Sequence, residues 1–90
     1  MNDDDKRAQQ VQQMIDYLVH EVVGRSDVRI SADLPLVSSG LIDSMALVNI
    51  LLKLEDVTHM RIPAGKVQPK DMDTVDLMFA TAQRVGKPWK

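Results

Sequence analysis

The sequence predicts an all-α fold: a small antiparallel bundle of three main helices and one short helix, with a long first loop. Three stretches place apolar residues at i, i+3, i+4 and i+7, which puts them on one face of an α-helix. Residues 25–43 separate the first two stretches and show no sustained period. The 90 residues are expected to form a single domain, 1–90, with loose ends at 1–8 and 86–90.

The first helical stretch is amphipathic and is expected to end at Gly24, since glycine is common just beyond a helix C-terminus. Its apolar stripe consists of Val11, Met14, Ile15, Leu18 and Val22. Tyr17 and His20 lie off this stripe, and we expect them to be partly exposed rather than catalytic. In the loop that follows, several apolar residues are expected to contact the core: Val28, Ile30, Leu34, Leu36 and Val37.

The central stretch contains a glycine turn at Gly40, the pair Asp43-Ser44, and then a strongly apolar helical segment. Asp and Ser ahead of such a segment are typical helix-start residues, because their side-chain oxygens accept hydrogen bonds from first-turn N–H groups. Ser44 is therefore expected at the positive end of a helix, where a phosphate is favoured. One stripe of this helix is expected to face the core: Leu47, Ile50, Leu51 and Leu54.

A second stripe of the central helix needs a partner of its own. It consists of Met45, Val48 and Leu52. Either another helix of this chain covers it, so that the central helix is buried on most sides, or another protein does.

The last third of the chain begins with proline and glycine residues that leave room only for a short turn of helix, within 64–72. Asp73 followed by Asp76 resembles a capping arrangement for the final helix, which Gly86 and Pro88 end. The apolar stripe of this helix consists of Val75, Met78, Phe79, Ala82 and Val85. Trp89 follows in a basic tail that is expected to be loose or to fold back as an anchor.

Composition excludes several classes of function. The formal charge of −2 and the lack of a Lys/Arg cluster exclude a nucleic-acid footprint. Without cysteine the chain has no disulfide and no thiolate, and His20 and His59 are isolated, so we expect no metal site. We expect no catalytic residue either, since Ser44 is not in a G-x-S-x-G motif. No apolar run reaches the roughly 20 residues of a membrane span, and we expect a cytoplasmic monomer.

Several motifs at matching distances resemble an acyl carrier protein over residues 11–85. They are Asp33-Leu34, the run from Gly40 to Met45, Leu54-Glu55, Ile62-Pro63 and Asp73-Thr74. The most specific is Asp43-Ser44 after a glycine turn, because the serine of this pair carries 4'-phosphopantetheine in the family. Met45 and the segment 62–74 are most similar to D-alanyl carrier proteins. The resemblance therefore implies an amino acid as cargo, held as a thioester.

The resemblance also implies partners for a chain that is itself no enzyme. They are a phosphopantetheinyl transferase, an amino-acid-activating ligase or adenylating enzyme, and a downstream acyl-acceptor enzyme. Asp43 would serve the transferase in addition to capping the helix. Partner contact is expected at the second stripe, rimmed by Asn49, Glu55 and Asp56.

Two departures from the family qualify this expectation. Lys53 and an apolar patch replace the acidic surface of fatty-acid carriers, and Thr58 stands where Phe is common, so core volume beside the following loop is lost. Two alternatives stay open: a carrier of fatty, polyketide or peptide intermediates, and an unmodified helical interaction module.

Overall fold

The computed structural model describes residues 3–25 and 27–88 and has three main helices, which confirms the all-α prediction. The helices are α1 (Asp3–Tyr17), α2 (Leu47–Thr58) and α3 (Val75–Val85). A π-helical segment, Leu18–Val23, continues α1, and a 3₁₀ turn, Ser44–Ala46, leads into α2. The short helix expected within 64–72 is present as two 3₁₀ turns, Ala64–Lys66 and Pro69–Met72.

The core is built from the stripes that the helical spacing predicts. The buried members are Met14, Leu18, Ile50, Leu51, Leu54, Val75, Met78, Phe79 and Ala82. Leu47, which was expected in the core stripe, is only half-buried because it lies at the first turn of α2, where the helix end is open to solvent. Each of the three helices contacts the other two.

The first loop is fixed to the helices at buried side chains and backbone hydrogen bonds. Ile30, Leu36 and Ile42 are buried, and Val28, Leu34 and Val37 pack partly against the same core. The N–H of Asp76 in α3 donates to the carbonyl oxygen of Ala32 at 2.9 Å. The loop therefore lies against the N-terminus of α3, as its apolar content predicts.

The helix ends agree with the sequence prediction in one case and differ in another. Gly24 ends the first helical segment with φ of 72°, a left-handed conformation that favours glycine. The predicted cap of α3 by Asp73 is wrong. Thr74 is the cap instead, since its hydroxyl oxygen accepts from the N–H of Leu77 at 3.0 Å. Asp73 does not cap α3 because its carboxylate points to the first loop.

Regular structure extends toward both ends of the described chain. α1 begins at Asp3, and the guanidinium carbon of Arg7 lies 4.8 Å from the centroid of the Phe79 ring, a contact that favours helix before residue 8. Near the other end, β2 (Lys87–Pro88) pairs with β1 (Met60–Arg61) in a two-stranded antiparallel sheet. Whether residues 1–8 and 86–90 form loose ends of a single domain stays a prediction, and residues 1, 2, 26, Trp89 and 90 lie outside the described part.

Candidate functional site

Ser44 lies at the start of the helical segment that continues as α2, where the sequence places it. Asp43 precedes it as the cap, with φ of −94° and ψ of 166°, and its Oδ1 accepts from the N–H of Ala46 at 3.1 Å. The carbonyl oxygen of Ser44 accepts from the N–H of Leu47. The Ser44 side chain therefore sits at the positive end of the helix dipole.

The Ser44 side chain is available for chemical modification. It is exposed, and among the hydrogen bonds between described residues its hydroxyl takes part in none. A group attached to this oxygen would break no hydrogen bond between residues that the structure describes. Negative charge on that group would be stabilised by the N-terminal end of the helix.

An apolar cleft of about 220 Å³ opens beside Ser44, between α2 and the two 3₁₀ turns. Its lining consists of Ser44, Leu47, Val48, Leu51, Ala64, Val67, Gln68, Pro69 and Met72. The sequence did not predict this cleft, because its two walls come from segments more than a dozen residues apart that only the tertiary fold brings together. The cleft offers an apolar surface to a flexible group attached to Ser44.

Asp73 connects the start of α3 to the loop that leads to Ser44. Its Oδ1 accepts from the backbone N–H groups of Leu36, Val37 and Ser38 at 3.1, 2.8 and 2.9 Å. Its Oδ2 accepts from the Ser38 hydroxyl at 2.8 Å. These bonds, led by those from the Ser38 backbone and hydroxyl, hold the pKa of Asp73 below its ordinary value.

Sequence reasoning missed this role of Asp73. The residues that bind Asp73 are 35 to 37 positions away in the chain. The sequence around Asp73 is typical of an ordinary helix start. No local signal could have found the contact. Only the packing of the first loop against α3 brings the groups together.

The second stripe of α2 is uncovered by the rest of the described chain. The exposed fraction is 85% for Met45, 67% for Val48 and 57% for Leu52. The alternative that α2 is buried on most sides is therefore wrong. The neighbouring residues Asn49 and Asp56 are exposed as well.

Glu55 differs from the expected rim residue. It is half-buried, and its Oε2 accepts from the N–H of Ile62 at 2.8 Å, so it joins α2 to the residue directly after β1. Lys53 lies toward α1, where its Nζ is 5.7 Å from the centroid of the Tyr17 ring and 3.9 Å from Asp56 Oδ2. Neither side chain is directed wholly to solvent.

Thr58 lines an open groove with a mostly polar lining, and the loss of core volume expected there stays a prediction. Its hydroxyl donates to the carbonyl oxygen of Leu54 at 2.7 Å. A cavity of about 290 Å³ opens beside it between the N-terminal part of α1 and α3, lined in addition by Lys6, Arg7, Gln10, Met60, Ala82 and Gln83. Ser44 is not part of this lining.

The remaining predicted groups stay apart. His20 and His59 are both exposed, the first in the π-helical segment and the second directly after α2. Within 3–25 and 27–88, the His, Asp and Glu side chains form no group of three that could hold a metal ion. In the same ranges, no helix has the length and apolar content that crossing a membrane requires.

Comparison with known proteins decides the family. The family described as the phosphopantetheine attachment site matches residues 13–76, which include the whole of α2 and the Asp43-Ser44 turn. The chain belongs to this family. Its members carry covalently attached 4'-phosphopantetheine and are generally non-catalytic carrier proteins.

Two relatives place the carrier near one branch of the family. The D-alanyl carrier protein of Lacticaseibacillus rhamnosus is 30% identical over 67 residues, which are 74% of this chain and 83% of that protein. The D-alanyl carrier protein of Lacticaseibacillus casei (strain BL23) is 28% identical over 67 residues, with the same two shares. No solved structure gives a significant match. The resemblance to acyl carrier proteins close to the D-alanyl carriers is confirmed.

The described residues fit the group that this family carries. The exposed Ser44 hydroxyl offers an attachment oxygen, and the first turn of the helical segment favours a phosphodiester. The apolar cleft adjoins the same oxygen. Ser44 and the cleft could therefore hold the phosphate and the start of the arm.

Proposed function

We propose that Ser44 of this carrier bears the 4'-phosphopantetheine arm and that the chain is a single carrier domain, 1–90, for an activated amino acid. The observation that carries the proposal is the exposed Ser44 hydroxyl at the start of a helix within the family match, which makes no hydrogen bond to any described residue. The terminal thiol of the arm supplies the thioester that holds the aminoacyl group.

The attachment step balances with coenzyme A as the donor. The Ser44 oxygen forms a bond to the phosphorus on the pantetheine side of coenzyme A, the pyrophosphate bond breaks, and adenosine 3',5'-bisphosphate leaves. A partner phosphopantetheinyl transferase takes the hydroxyl proton, and Asp43 contributes to recognition by that enzyme. The first-turn N–H groups stabilise the negative phosphodiester that results.

An amino acid is the cargo that the relatives favour, since both are D-alanyl carrier proteins. An amino-acid-activating ligase or adenylating enzyme would load the arm in the cytoplasm, where ATP and coenzyme A are available, and an acyl-acceptor enzyme would take the cargo. The alternative cargo is a fatty, polyketide or peptide intermediate. The uncovered apolar stripe supports partners different from those of acidic fatty-acid carriers.

Partner enzymes are proposed to bind the second stripe of α2. Met45, Val48 and Leu52 supply its apolar surface. Asn49 and Glu55 border this surface. Glu55 does so with the part of its side chain that stays exposed beside its hydrogen bond to Ile62. Because the stripe begins directly after Ser44, an enzyme bound there would have the arm within reach. The same stripe is the specific observation that favours the second candidate, an unmodified module that binds another helix.

The deciding experiment is the intact mass of the protein after incubation with coenzyme A and a broad-specificity phosphopantetheinyl transferase. We expect a gain of one phosphopantetheine in the wild type and none in Ser44→Ala. Ser31→Ala is the matched control, because Ser31 is also an exposed loop serine, and it should be modified like the wild type. A folded wild type that gains no mass would support the interaction module instead.

The cargo is tested next with the modified protein, ATP and a set of amino-acid-activating ligases. We expect a further mass gain from an amino acid, with D-alanine tested first, that neutral hydroxylamine removes as it removes thioesters. A gain only with fatty-acid ligases would favour the alternative cargo.

A further inference from the structure

The Asp73 carboxylate binds a segment of the first loop that lies 35 to 37 residues away in the chain. This segment leads to Ser44, the proposed attachment serine. The carboxylate accepts hydrogen bonds from three successive backbone N–H groups, 36–38, and from the Ser38 hydroxyl. The carbonyl oxygen of Asp73 also accepts from the N–H of Leu36, at 2.7 Å. The carboxylate and the backbone carbonyl of Asp73 therefore bind three residues of the first loop.

The held segment is in turn bonded to the residues directly before Asp43. The carbonyl oxygen of Leu36 accepts from the N–H of Ile42 at 3.1 Å, and that of Val37 accepts from the N–H of Gly40 at 3.0 Å. Gly40 has φ of 81°, so the turn needs a conformation that most residues adopt rarely. These bonds join Asp73, through 36–38 and 40–42, to the turn that presents Ser44.

Asp71 is a nearby carboxylate whose bonds are only structural. Its Oδ2 accepts from the N–H of Gln68 at 2.9 Å and lies 3.6 Å from Nη2 of Arg84. Gln68 caps the 3₁₀ turn Pro69–Met72 and Arg84 belongs to α3, so neither partner belongs to the first loop. Asp71 is therefore a matched carboxylate whose loss would disturb packing around α3 without releasing the segment 36–38.

We infer that Asp73 is a positioning residue for the modification of Ser44: by holding 36–38, it keeps the Asp43-Ser44 turn in the conformation that the transferase binds. The inference rests on the proposed attachment at Ser44. Asp73 touches neither Ser44 nor the reacting atoms, and it acts only through the loop.

This role has a kinetic consequence that a purely structural role lacks. If the released loop presents the turn correctly only part of the time, the apparent affinity of the transferase falls by the fraction of competent molecules. Once the complex forms, the transferase itself holds the turn. Loss of Asp73 is therefore expected to raise KM for the carrier protein and to leave kcat nearly unchanged.

The test compares Asp73→Ala, Asp73→Asn and Asp71→Ala with the wild type at saturating coenzyme A. Circular dichroism establishes that each is folded, and amide exchange at 36–38 measures release of the loop. We expect Asp73→Ala to raise KM by roughly threefold or more, with kcat within about twofold of the wild type. Asp73→Asn, which keeps an acceptor oxygen, should fall between, and Asp71→Ala should match the wild type.

The contradicting results are equally specific. An unchanged KM in Asp73→Ala, with faster amide exchange at 36–38, would overturn the positioning role. An equal rise in Asp71→Ala would do the same, because it would trace the effect to general loss of stability. If Asp73→Ala does not fold, Asp73→Asn with Ser38→Ala decides the question by the same split of KM and kcat. A wild type that accepts no arm would overturn the proposed attachment, and the inference with it.

Discussion

Asp43 combines a local structural role with a position beside Ser44, the proposed attachment serine. Its Oδ1 accepts from the N–H of Ala46, which satisfies one of the unpaired donors at the helix start. An asparagine oxygen offers the same acceptor without the charge. Substitution can therefore separate the cap from any recognition of the carboxylate by the transferase.

We expect Asp43→Ala to lower the free energy of unfolding by about 1 kcal/mol, and Asp43→Asn to change it by a few tenths, since both Asp and Asn are good caps. Transferase turnover should fall in both variants if the charge is recognised. Urea unfolding and intact-mass kinetics measure the two effects. Wild-type modification of Asp43→Asn would show that the residue serves only as a cap.

Asp73 should make the stability of the fold depend on acid pH. Because hydrogen bonds from Ser38, Val37 and Leu36 lower its folded-state pKa, the stabilisation is present above the ordinary pKa of 3.8 and is lost as pH falls through the lowered value. Asp73→Asn removes this titration. We expect its free energy of unfolding to fall less steeply than that of the wild type between about pH 4 and pH 2, measured by urea unfolding at each pH. Parallel curves would contradict the assignment.

At the residue scale, the role of a side chain could be predicted from the sequence when its hydrogen-bond partner was near in the chain. Asp43 and Ser44 were predicted because a cap and its helix are adjacent in the chain. Asp73 and Glu55 were assigned other roles because their bonds reach 35 to 37 and 7 residues away. Neither distance follows from local pattern.

At the scale of elements, α2 has a buried face and an exposed face, and the exposed face is the proposed partner surface. Leu54 is fully buried and contacts the core, whereas Leu52 has 57% of its surface exposed. Two leucines with the same side-chain volume therefore have different surroundings. Truncating each one tests the two faces with the same chemical change.

We expect Leu54→Ala to lower the free energy of unfolding by about 2–5 kcal/mol, because it leaves a cavity in the core. Leu52→Ala should change it by less than about 1 kcal/mol, yet it should slow loading by the cognate ligase, since it removes part of the proposed contact surface. Chemical unfolding and loading rates on the arm-bearing protein provide the comparison. Unaffected loading of Leu52→Ala would place the partner surface elsewhere.

The elements themselves were predictable to different degrees. The three helices follow from apolar spacing sustained over several turns, as in Met14 to Leu18 or Ile50 to Leu54. The strands Met60–Arg61 and Lys87–Pro88 have two residues each, too few to show an alternating pattern. Their pairing depends on tertiary contacts that bring the end of α2 beside the end of α3.

At the scale of the whole molecule, the ends of α2 and α3 are joined at Gly86. A Cβ at this position would collide with the carbonyl oxygen of Ala82 and would lie 2.7 Å from Met60 Cε. The first of these atoms is backbone and cannot move without disturbing α3. Gly86 therefore permits the close approach that brings β2 onto β1.

We expect Gly86→Ala to lower the free energy of unfolding by about 1–3 kcal/mol, because the added methyl group displaces backbone or separates the two strands. Gly65→Ala is the matched control, since a Cβ there meets nothing within 4 Å, and it should be neutral or slightly stabilising. Both variants should still accept the arm while folded, because Gly86 lies away from the Ser44 turn. Equal stability of the two variants in urea would mean that the strands separate at no cost.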